Sequence, residues 1–326
     1  MKRALPILSL IVLAACENGA SSLSPGDDGV TPTPPTPIAG DVLLGHLYVL
    51  AHDSMQGRQA GSVYELMAAT YLREEFTEYG LEPGATDYFQ PFTIPVSVNG
   101  ETGLESQNVL GVLPGQGALA DEWVVVGAHY DHVGVNSTGD VFNGADDNAS
   151  GTSLVLELAR YLDEYVDGGM AGDRARRSVM FHGYGAEEVG LVGSTYFCSN
   201  PTVPMGDIMA MINLDMVGRM EGDRLLLIGT SSSDGWPAVF VGANSEGLEL
   251  VTTEENLDRS DQYCFYTNRR PVMFLHTGLH LQYHTSTDDV ELIDVGNMER
   301  VGEFAANVLL DLIHRTEPLV YGAGIN

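Results

Sequence analysis

Residues 123–132 read WVVVGAHYDH: six apolar residues in a row, then His129, Tyr130, Asp131 and His132. An unbroken apolar run closed by polar residues is the pattern of a strand buried on both faces. The pattern recurs from Ser178 to Tyr184, ahead of GAEEVG, and from Ile208 to Leu214, ahead of DMVG. Shorter runs fall from Leu225 to Ile228 and from Val272 to Leu275. Helical spacing of apolar residues marks 41–52, 64–79 (stopped by Gly80), 153–165, 236–245 and 297–314. Residues 86–113 are irregular and strand-rich, punctuated by Pro and Gly. Strands alternating with helices predict an α/β fold with a largely parallel central sheet.

In open α/β sheets functional residues collect at the carboxyl ends of the strands. Three of the apolar runs are followed at once by His129, by Glu187-Glu188 and by Asp215. Two further segments carry similar residues, Asp147 in GADDNASG and His284 in YHTSTDD. Imidazole nitrogen and carboxylate oxygen together suit zinc or a similar divalent ion. Each motif also has a plainer reading. A His at a strand end is often structural, an Asp before a helix can be its cap, and two adjacent glutamates can simply be solvated. Their convergence on one sheet edge favours the metal reading. A carboxylate in the GADDNASG turn can bridge two cations ~3.5–4 Å apart, the spacing used in two-metal hydrolysis. Adjacent residues point different ways, so one glutamate of the pair can bind metal while the other serves as base. Asp131 is placed to orient His129, Tyr283 can donate to a developing oxyanion, and His132 is expected outside the ligand set.

The ordered series AHYDH, GADDNASG, GAEEVGLVGS, NLDMVG and YHTSTDD resembles the M28 family of zinc aminopeptidases, over nearly all of residues 41–315. The upstream HLYVLAHDSMQGRQAG, AATYLREEFTEYGLEP and FQPF also look like that family. The resemblance implies a mixed, largely parallel central sheet flanked by helices on both faces, and two zinc ions, other divalent ions being acceptable. His129, Asp147 and Asp215 would hold one, and Asp147, Glu188 and His284 the other. It implies that Glu187 takes a proton from a water bridging the two ions and passes it to the leaving amine. Tyr283 would stabilise the oxyanion, Asp131 would stand behind His129, and Arg58 would be structural. The implied substrates are peptides with a free N-terminus. The alternatives are glutaminyl cyclase-like acyl transfer and a non-catalytic binding relative of the same fold. Two departures bear on the substrate pocket: Gln262 stands where a His is frequent, and Arg269-Arg270 replace a small or Gly-rich turn. There is no room for the protease-associated insert of some relatives.

The net charge is −30, and Lys2 is the only lysine. Such a surface repels nucleic acid and anionic headgroups and attracts cations. Lys2, Arg3 and the apolar stretch Leu5 to Leu13 read as a signal peptide over residues 1–15. Leu13-Ala14-Ala15-Cys16 resembles a lipobox, which implies a lipid on Cys16 and anchoring in a bacterial cell envelope. Glu17 favours the outer over the inner membrane. Residues 16–37 are a Pro/Gly/Ser-rich tether, and 38–326 the metallopeptidase-like domain. Cys198 and Cys264 are left as a disulfide or as two free thiols, and their spacing does not decide between them.

Overall fold

The structure, a computed structural model, describes residues 35–322. The signal peptide, Cys16 and nearly all of the tether lie outside the described residues. The elements in chain order are α1 (Gly40–Leu50), α2 (Val63–Glu78), β1 (Glu82–Pro83), β2 (Phe89–Thr93), β3 (Glu105–Leu113), β4 (Trp123–His129), α3 (Gly151–Asp167), β5 (Ser178–Tyr184), α4 (Val192–Ser199), β6 (Ile208–Leu214), β7 (Arg224–Ile228), α5 (Trp236–Ala243), β8 (Glu249–Thr253), α6 (Gln262–Thr267), β9 (Val272–His276) and α7 (Val295–His314). They form a mixed α/β fold.

The sheet order is β1-β3-β5-β4-β6-β9-β7-β8, with β2 also on β3. The centre, β5-β4-β6-β9, is parallel. β3 meets β5 antiparallel, as β1 and β2 do β3, and β7 meets β9 antiparallel before pairing parallel with β8. β4 thus lies between two parallel neighbours, which is why 123–128 is apolar without alternation. Val124, Val126 and Ala128 enter the main core with Leu43 and Leu47 of α1, Leu158 of α3 and Phe304 of α7. Val125 faces the other way, with Met180, Phe197 of α4 and Phe265 of α6. Emptying a site such as Phe304, fully buried here, costs about 3–5 kcal/mol.

Local signals fix the helix ends. The Ser62 hydroxyl accepts the Glu65 amide at 3.1 Å at the start of α2, and Asp294 does the same for Asn297 on α7. Among the described residues no helix is long and apolar enough to cross a membrane.

α4 and α6 are joined by a Cys198–Cys264 disulfide, with Cα atoms 6.1 Å apart and a sequence separation of 66. A cross-link closing so long a loop removes much of the unfolded chain's freedom. Replacing both cysteines with serine is expected to cost about 2–4 kcal/mol, read as a lower denaturant midpoint, with reductant then having no further effect on the variant. A midpoint equal to the parent's would show that the bridge does not stabilise the fold.

Candidate metal centre

The strand carboxyl ends deliver the donors to one edge. His129 closes β4. Its Nδ1 lies 3.2 Å from the Asp131 main-chain oxygen, so an Nδ1–H donates there and leaves Nε2 as a ligand atom. That Nε2 lies 3.4 Å from Asp147 Oδ1 and 3.5 Å from Asp215 Oδ1. Asp215 follows β6, and its Oδ2 accepts the Ser260 hydroxyl at 2.7 Å, which turns Oδ1 toward His129. Asp147 sits in the irregular turn Ala145–Ser150 ahead of α3. Neither Asp146 nor Asp147 caps that helix. Instead the amides of both donate to Asp288 Oδ2, at 3.0 and 3.1 Å.

Asp147 Oδ2 faces a second group. It lies 3.0 Å from His284 Nε2, and Glu188 Oε2 is 3.1 Å from the same nitrogen. Two clusters therefore share Asp147: His129, Asp147 and Asp215; and Asp147, Glu188, His284 and His132. In a tetrahedral zinc site with bonds of about 2.0–2.1 Å, neighbouring ligand atoms stand about 3.3 Å apart, and the measured separations straddle that figure. Asp147 Oδ2, although buried, makes no well-aligned hydrogen bond despite the short contact to His284. The ligand atoms of each cluster lie within 4.8 Å of one another, so the residues fit a divalent cation.

His132 departs from expectation. Its Nδ1 is 2.8 Å from Glu188 Oε1, which puts it in the second donor group. Asp131 also acts differently from its expected part. Its carboxylate is 3.8 Å from His129 Nδ1, too far for a hydrogen bond. It accepts instead the amides of Glu187 (2.9 Å) and Glu188 (3.2 Å). The buried Glu65 holds the preceding residue, accepting the Ala186 amide at 3.1 Å, the Ser106 hydroxyl and the Gly61 amide. The glutamate turn is thus pinned from two sides, and Ala186 is kept at a φ of 57°. Arg58 is buried, and its guanidinium donates to the main-chain oxygens of Leu50, Tyr130, Asn143 and Gly144, tying the His129 and Asp147 segments together.

Excess negative charge governs the site. Burial opposes a charged imidazole at His129, but Glu187, Asp215 and Asp147 outweigh it and hold the group well above the usual range. Burial pushes Glu187 well up, helped by Asp261, Glu188 and Asp215 against His129. Glu187, Glu188, Asp147, Asp215, His129, Tyr283 and His284 line one cavity of about 660 Å³. Tyr283 stacks on His284 with centroids 3.9 Å apart. Asn256, Asp258 and Arg259 also reach this cavity, whereas Gln262 and Arg269-Arg270 do not. Gln262 is buried between Asn213 and Leu257, and Arg270 bonds the main chain of Gly206.

A model of peptidase family M28 matches residues 108–309, most of the chain, the metal-type residues included. The chain belongs to peptidase family M28. This M28 chain is 30% identical over 217 residues to leucine aminopeptidase 1 of Arthroderma gypseum, an alignment covering 65% of the chain and 55% of that protein. It thus spans only about half the length of such relatives. Among solved structures it is similar to the zinc aminopeptidase of Bacillus subtilis (TM-score 0.70, 16% identity, covering 89% of this chain and 99% of that one). It is also similar to the glutaminyl cyclase of Porphyromonas gingivalis (TM-score 0.66, 22% identity, 84% and 98% covered). At these identities the likenesses show the shared fold alone.

Asp261, just ahead of α6, is fully buried, and neither carboxyl oxygen has a hydrogen-bond partner. Burial raises it to about 7, with His129 pulling down and Asp215 pushing up. Between its ordinary value of 3.8 and about 7 the folded state holds a proton that the unfolded chain has lost. Its contribution is therefore complete below pH 3.8 and falls as pH rises toward 7. Asp261→Asn is expected to raise the Tm of metal-free protein at pH 7.5 and leave it unchanged near pH 4. An equal Tm difference at both pH values would contradict this.

Proposed function

We propose that this M28 chain is a metal-dependent aminopeptidase acting on peptides with a free N-terminus, with two zinc ions sharing Asp147. The observation that carries the reading is the pair of donor clusters joined at Asp147, with Glu187 outside both yet lining the same cavity. When bound, the ions supply Lewis acidity, which polarises the scissile carbonyl and lowers the pKa of water. His129, Asp147 and Asp215 would hold one, and Asp147, Glu188 and His284, with His132 at hand, the other. Glu187 is fixed by its backbone and raised by burial, so its carboxylate takes a proton from the attacking water and returns it to the departing amine. Tyr283, which lines the same cavity, would donate from its hydroxyl to the carbonyl oxygen as charge develops there. Surplus carboxylate charge favours a cationic α-amine over a blocked one. The lipid on Cys16 would tether this activity in the cell envelope.

The test is to incubate the full chain with unblocked and N-acetylated peptides, with and without chelator. Release of first residues from unblocked peptides only, lost on chelation and restored by zinc, is the expected result. Loss of ammonia from a Gln-initiated peptide, with the chain length kept, would instead establish the cyclase. No reaction by a folded, zinc-loaded chain would sink both and leave a binding role.

A further inference from the structure

Beyond the metal-type residues, the cavity is lined by Leu191, Met216, Phe274, Leu279 and His276. Met216 and Phe274 are buried apolar walls. His276 is the last residue of β9, one step past Leu275, which pairs with Leu214 of β6. That register sets His276 beside Asp215, and both line the cavity that holds the donor clusters. The imidazole leans on Phe274, with centroids 5.5 Å apart.

One hydrogen bond fixes the ring's chemistry. The Gly278 amide donates to His276 Nδ1 at 2.7 Å, so Nδ1 keeps its lone pair and the proton of a neutral ring sits on Nε2. Among the described residues Nε2 has no hydrogen-bond partner, and it is not among the sealed polar atoms. His276 therefore adds a free N–H donor beside the apolar side chains of Met216 and Phe274 on the lining.

We propose that His276 selects N-terminal residues with amide side chains, glutamine and asparagine, by donating from Nε2 to the side-chain carbonyl oxygen. This rests on the aminopeptidase reading. A leucine side chain of similar size fills the same walls but covers the donor without an acceptor, and a buried donor left unpaired is penalised. A carboxylate side chain meets Glu187, Glu188, Asp215 and Asp258 on the lining. The one guanidinium there, Arg259, is a largely exposed partner of Asp258 at 3.9 Å. A neutral acceptor on an apolar stem satisfies both conditions.

The experiment compares Gln- and Leu-initiated tripeptides that are otherwise identical, on the full, zinc-loaded chain and on His276→Phe and His276→Gln. First-residue release gives kcat/KM, and thermal shift with glutamine and leucine hydroxamates reports the pocket whether or not turnover occurs. In the parent, the Gln substrate and ligand are expected to be favoured. His276→Phe should move the Gln-to-Leu ratio by about tenfold or more toward Leu, and His276→Gln, which keeps an N–H donor, should restore part of it. Hydroxamates discriminated in this way without any turnover would support the role of His276 while the hydrolytic reading fails. If both variants keep their Tm and neither ratio moves, the inference is overturned. If His276→Phe fails to fold, His276→Gln decides alone: a ratio collapsed to that expected of an apolar wall overturns it, and a retained preference supports it.

Discussion

Glu187→Gln is expected to lower kcat by about 10³-fold, within the 10²–10⁴ range of general acid–base catalysis, while KM and zinc content stay close to the parent's. The expectation rests on what holds Glu187 and what it does not hold. Its amide is fixed by Asp131, and the amide before it by Glu65, so the turn is set by main-chain bonds that an isosteric side chain leaves intact. Glu187 belongs to neither donor cluster, so its replacement should not release metal. What is lost is a group able to take and return a proton inside a carboxylate-rich cavity. Zinc content and kcat measured on the same preparation separate the outcomes. A kcat within tenfold of the parent would remove Glu187 from proton transfer. Loss of zinc along with activity would make it a ligand instead.

Much of this site was legible because parallel strands leave a blunt record. β4, β5 and β6 are buried on both faces, so each appears as an apolar run, and the residue after each run must lie on one sheet edge. That places His129, Glu187, Glu188 and Asp215 together from sequence alone. The loop residues Asp147 and His284 carry no such signal, and their place came from motif resemblance. Short elements were missed. α6 has six residues and α4 eight, too few for periodicity to show, and α4 follows Leu191 at a positive φ. β8 is a partly exposed edge strand beside a half-buried neighbour and lacks an apolar run. Long-range polar contacts were invisible as well. The Asp288 carboxylate reaches amides 142 and 141 residues away, and no local pattern predicts such a bond. Asp131 shows the boundary clearly. Its importance was readable two residues past His129, but its partners are amides more than fifty residues on. The disulfide belongs to the same class, since only the fold brings α4 and α6 together.

Stripping the metal is expected to lower Tm by about 10 °C and to abolish peptide hydrolysis, both recovered with zinc. The electrostatics of the donor groups set the direction. Asp147, Glu188 and Asp215 lie within 3.5 Å of imidazole nitrogens in a largely buried site, with Asp131, Glu187 and Asp261 close behind. Without a divalent cation this charge must be balanced by protons, and the raised His129 is one sign of that. A ligand that binds only the folded state at a thousand times its Kd stabilises by about 4 kcal/mol, and in a domain this large each kcal/mol moves Tm by about 2–4 °C. Variants then count the ions. His284→Ala removes a donor from the second cluster alone, so it should keep about one zinc and part of the Tm gain. Asp147→Asn weakens the donor shared by both clusters, so it should lose zinc at each and most of the gain. Equal zinc content in the two variants would argue against a shared Asp147. A Tm indifferent to chelator would mean that the clusters hold no structural share of the metal at all.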